Sequence, residues 1–144
     1  MTFISRRDLL KAAAIVPIAR GFQSDARPEN LTATEMELLE AIVARLIPTD
    51  ANGPGAKEAH AAHYIDRALA GPLSASRRAY AAGLAAVDAY AQSAKGAPFA
   101  KLVAQDQDAV LSDMEKNVAK GFAPNSSTFF NLVRTHTILS LIHI

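Results

Sequence analysis

The sequence predicts an all-α fold: a small single-domain bundle of about five helices behind an N-terminal targeting segment. Three observations lead there. Half of the 144 residues are hydrophobic and 30 of these are alanine, the strongest intrinsic helix former. β-branched residues, which favour strands, are few. Bulky apolar residues recur at helical spacing between breaks made by proline and glycine. The 42 apolar side chains that remain after alanine suffice for one modest core, and the length suits one domain.

Composition also excludes. A formal net charge of +1 argues against nucleic-acid binding through a bulk basic field. The absence of cysteine rules out disulfides, thiolate zinc sites, thiolate-bound iron–sulfur clusters and covalent haem attachment in this chain.

The charge is unevenly placed. Residues 1–27 set Arg6, Arg7, Lys11, Arg20 and Arg27 against Asp8 and Asp25, a net of +3, and leave the rest at −2. Ser5-Arg6-Arg7-Asp8-Leu9-Leu10-Lys11 precedes the apolar run Ala12–Ala19, a basic region followed by a hydrophobic one. That run is too short for a bilayer span of about 20 residues. The pattern resembles a twin-arginine export signal, with a basic amphipathic or disordered segment as the bland alternative. Ser24-Asp25-Ala26 offers a small-x-small cleavage site, and retention as an uncleaved anchor stays open.

In the remainder, Thr32-Ala33-Thr34-Glu35 forms a capping box ahead of Leu38, Leu39, Ile42, Val43, Leu46 and Ile47, with Pro48 as the stop. Residues 49–55 read as a loop; they lack both GxGxxG and the GK[ST] ending of a phosphate cradle. A second helix is expected from about Ala56 to Ala70, with Ile65 and Leu69 inward and Gly71-Pro72 ending it. A third follows Ser74 or Ser76 through about Ala94, carrying Tyr80, Leu84, Val87 and Tyr90 or Ala91 on one stripe, its alanines permitting close helix approach. Asp106 or Asp108 starts a fourth with Val110, Leu111, Met114 and Val118, its last turns holding Lys116 and Lys120 before Gly121. Pro124-Asn125-Ser126 opens a fifth with Phe129, Phe130, Leu132 and Val133.

Chemistry-bearing clusters are sparse. His60 and His63 stand three apart on the second helix, a spacing that can face two imidazoles to one metal, or two solvated histidines on an alanine-rich surface. Asp50 and Asp66 have no nucleophile motif beside them, and Asp66 with Arg67 reads as part of a surface or interhelical ion pair. Arg134-Thr135-His136-Thr137 is the densest polar cluster; Arg134 and Thr137 are spaced to share a face. With Phe129 and Phe130 it forms either a core stripe or a docking surface anchored by Phe and Arg.

On these residues the chain resembles the gluconate 2-dehydrogenase subunit 3 (small, or gamma, subunit) family. The resemblance rests on Ser5-Arg6-Arg7, Leu31-Thr32-Ala33-Thr34-Glu35, Leu46-Ile47-Pro48-Thr49-Asp50 and Gly53-Pro54-Gly55-Ala56-Lys57-Glu58-Ala59. It continues through Tyr64-Ile65-Asp66-Arg67 and Phe129-Phe130-Asn131-Leu132-Val133-Arg134-Thr135-His136-Thr137. It implies a non-catalytic subunit of a periplasmic FAD-dependent sugar or alcohol dehydrogenase complex, membrane-associated through that complex. FAD would sit in the large partner subunit and no cofactor in this chain; a cytochrome c subunit would be a further partner. The small subunit would help the large one mature and take it through the twin-arginine translocase. No catalytic residue carries over. Arg6 and Arg7 match the targeting motif, while Phe129, Phe130, Arg134 and His136 fall in the family segment expected at the partner interface.

Two departures accompany the resemblance. His60-Ala61 stand where the family tends to have glycine and valine, and the Gly-rich aromatic continuation after Thr137 is missing. The expected division is therefore a signal at 1–27, a helical domain at 28–138, and a truncated or non-native tail at 139–144. The alternative function is a stand-alone periplasmic helical protein that binds metal or a partner, with His60 and His63 as metal candidates.

Overall fold

A computed structural model of the chain describes residues 29–51, 53–57 and 59–142. The proposed signal, with Arg6 and Arg7, lies outside the described residues. Five α-helices follow one another: α1 (Ala33–Leu46), α2 (Ala61–Ala68), α3 (Arg77–Lys95), α4 (Ala104–Glu115) and α5 (Ser126–Ile142). Short 3-10 turns at Ser74–Ser76 and Phe99–Lys101 lead into α3 and α4. Among the described residues there is no strand, as the all-α reading expects.

α1 begins where its capping box places it. The Thr32 N–H donates to the Glu35 carboxylate at 2.9 Å, and the Glu35 N–H donates to the Thr32 hydroxyl at 3.1 Å. The two bonds satisfy backbone donors that a helix start leaves free. Met36, Leu38, Leu39, Ile42 and Val43 are buried along its inner face.

α2 is shorter than the expected span from Ala56 to Ala70. Residues before it form turns, with Ala56 N–H donating to the Ile47 carbonyl and Ala61 N–H to the Ala56 carbonyl. His60 takes a left-handed conformation at φ 60°, which no helix interior accommodates. Gly55 explains why this chain folds back so tightly: a β-carbon there would overlap the backbone of residues 47 to 49.

α4 also departs from its expected limits, starting at Ala104 and ending at Glu115 rather than near Lys120. Its end is a Schellman turn. Asn117 at φ 65° is the left-handed residue; its N–H donates to the Met114 carbonyl, and Val118 N–H donates to that of Asp113 at 2.9 Å. Lys116 and Lys120 therefore lie beyond the last helical turn. Val118, expected in the core, is 55% exposed, and Ala119 is buried in its place.

The Asn125 side-chain oxygen accepts the Thr128 N–H at 3.0 Å and opens α5. This helix crosses the expected boundary at residue 138 and reaches Ile142. Ser140 is fully buried on it and donates its hydroxyl to the Thr137 carbonyl at 2.7 Å. α5 packs against α4 and α2, α1 packs against α2, and α3 closes the bundle. One core gathers Leu39, Ile42, Ile65, Tyr80, Phe99 and Val110 from five parts of the chain. No helix among the described residues is long and apolar enough to cross a membrane.

Candidate functional site

The buried polar side chains come first, because a site is usually built from them. Asp66, only 2% exposed, sits within α2. Its carboxylate accepts the N–H groups of Glu29, Asn30 and Leu31, the last two at 2.8 Å. The Asn30 side-chain amide donates to the Asp66 carbonyl at 2.6 Å. The expected ion pair with Arg67 is thus replaced by a clamp on the incoming chain. An extended segment laid on a helix has backbone donors without partners, and one carboxylate offers enough lone pairs for three of them.

A second buried pair joins α3 to α5: the Tyr80 hydroxyl is hydrogen-bonded to His136 Nδ1 at 2.9 Å, with the rings stacked 5.7 Å apart. Burial lowers the His136 pKa and raises that of Tyr80, so both are held neutral. Elsewhere, Arg45 and Asp108 form a two-bond ion pair between α1 and α4 at 2.8 and 2.9 Å. That hydrogen bonding holds the Asp108 carboxyl below its ordinary range.

His60 and His63 do meet, their rings edge to face at 5.7 Å. His60 is exposed, but the ring nitrogens of His63 are buried without a hydrogen-bond partner, and Nδ1 stands 3.7 Å from the Glu40 carboxylate. The solvated reading therefore fits the first histidine and not the second. Among the described residues, no group of three His, Cys, Asp or Glu side chains could hold a metal ion.

The four residues expected at a partner interface separate. Phe129, Phe130 and His136 are buried in this chain, and Arg134 is exposed on α5. Thr137 does not share a face with Arg134: it is fully buried and its hydroxyl donates to the Val133 carbonyl at 2.7 Å.

Phe129 nevertheless reaches the edge of a feature that the sequence did not single out. A half-open, mainly apolar groove of about 490 Å³ runs between the first half of α3 and the first half of α5, closed at one end by residues 121–124. Ala75, Ala79, Ala82 and Gly83 form one wall. Phe129, Leu132 and Thr135 form the other, with Phe122 beside them. Phe129 seats on Gly83, where a β-carbon would overlap its ring, and lies 5.7 Å from Tyr80 and 6.3 Å from Phe122. Small residues on α3 thus open the groove while an aromatic pair shapes it. The sequence signal was the run of alanines at 75, 79 and 82 followed by Gly83, a helical stripe with nothing bulky on it.

Such a surface offers shape and mainly apolar contact, with the hydroxyls of Ser76, Thr128 and Thr135 and the Asn131 amide in its lining. The gluconate 2-dehydrogenase subunit 3 profile matches residues 33–142, which holds all five helices. The chain belongs to this family. No curated protein and no solved structure matches it. The family match also covers residues 139–142, where α5 continues.

Proposed function

We propose that this chain is the non-catalytic small subunit of a periplasmic FAD-dependent sugar or alcohol dehydrogenase complex. In this reading it assists maturation of the flavin-binding large subunit and carries it through the twin-arginine translocase. The observation that carries the proposal is the family match over residues 33–142. The basic segment with Arg6 and Arg7 supports the export half of it. The use of Asp66, Tyr80 and His136 within the chain's own packing supports the non-catalytic half, because these three side chains hold elements together. FAD then belongs to the large subunit, which performs the oxidation, and a cytochrome c subunit takes the electrons onward.

The test replaces Arg6 and Arg7 with lysine and follows the large subunit by cell fractionation. The expected result is a large subunit retained in the cytoplasm. Normal periplasmic levels of the large subunit in this variant would overturn the escort role.

A further inference from the structure

The groove between α3 and α5 has a charge pattern that identifies its occupant. Segments 75–83 and 121–135 supply its walls and its closed end. Together they carry Arg77, Arg78 and Arg134 and not one acidic residue, in a chain whose residues after 27 are net acidic. The apolar surface also extends past the groove. Asn131 and Thr135 of the groove wall are followed at helical spacing by Ile138 and Ile142, which are 46% and 72% exposed. From Thr128 to Ile142 the stripe is about 20 Å long, some four turns of helix.

We infer that this groove and stripe bind an apolar helix of the large dehydrogenase subunit, one flanked by acidic side chains. The inference rests on the reading of the chain as a dehydrogenase subunit. Charge decides between occupants. A second copy would bring three more basic residues against the first three, and the chain's own residues 1–27 carry a net +3. Like charges oppose both, whereas an acidic partner is drawn in and oriented. Shape decides against a flat anionic membrane, because a wall of alanine and glycine is recessed and admits the ridge of a helix closely.

The experiment uses the full chain co-expressed with its cognate large subunit. Ala79 and Ala82 are exposed on α3, so glutamate at either leaves the fold intact while placing a charge in the groove. Ala81 is exposed on α3 outside the groove and serves as the control position for the same change. Ala82→Glu is expected to weaken co-purification of the large subunit about tenfold, as loss of a central contact does, and Ala81→Glu to leave it unchanged. Arg78→Glu with Arg134→Glu is expected to weaken it further, and raised salt to weaken the wild-type pair. Equal recovery with Ala82→Glu and wild type overturns the inference. So does a homodimer on size exclusion, or flotation of the free chain with phosphatidylglycerol vesicles, if Ala82→Glu abolishes it while large-subunit binding persists. Failure of the wild-type chain itself to bind the large subunit overturns the subunit reading instead.

Discussion

Single residues do more in this chain than their type suggests, and Asp66 is the main case. Its carboxylate is committed to three backbone N–H groups, that of Leu31 buried and those of Glu29 and Asn30 partly so. Asp66→Ala is expected to cost about 2–3 kcal/mol in urea unfolding, since it strands the buried Leu31 N–H and two partly buried donors. Asp66→Asn keeps one acceptor oxygen and should fall between wild type and alanine. The residue was visible in the sequence, but its role was not. An aspartate beside an arginine on an alanine-rich helix looks like a surface pair, and nothing local shows that residues 29–31 return to it from 35 or more positions away. The Tyr80–His136 pair, separated by 56 positions, was hidden for the same reason. Gly83 was legible as a break in side-chain bulk; that Phe129 fills the space was not.

Elements were legible where their signals are local. Thr32, Glu35 and Pro48 bracket α1 within one helix length, and the structure follows them. Gly96 at φ 84° ends α3 one residue past the expected limit. The end of α4 was misread because Gly121 is the better left-handed residue by type, yet Asn117 comes first and its side chain has a second task. Its Oδ1 accepts the Ser127 N–H at 3.2 Å, so it finishes α4 and steadies the start of α5 at once. Asn117→Ala is therefore expected to cost about 1–2 kcal/mol by thermal or urea unfolding, from left-handed strain and a lost acceptor. Asn117→Gly relieves the strain and loses only the acceptor, so its loss should be smaller. The groove lies between α3 and α5, which are far apart in the chain, so sequence periodicity within either helix could not outline it.

At the scale of the molecule, the described residues share one core whose stability carries a pH signature. Burial depresses the His136 pKa from its ordinary 6.5, so the unfolded chain takes up that proton more readily than the folded one. The stabilisation is complete above about pH 6.5 and declines as pH falls through the lowered folded value. Thermal midpoints measured between pH 7.5 and 5 should drop for the wild type, and less steeply for His136→Gln. Asp108, held low by Arg45, adds a second decline in the more acid carboxylate range. Across the surface, charge is sorted: the groove segments are basic while the chain beyond residue 27 is net acidic. Residues 29–31 are tied to α2 through the Asp66 carboxylate and to α3 through the Arg77 side chain, which donates to the Asn30 side-chain oxygen. The start of the described chain is therefore fastened to two helices at once, and Asp66→Ala would loosen it from α2 while Arg77 still holds it on α3.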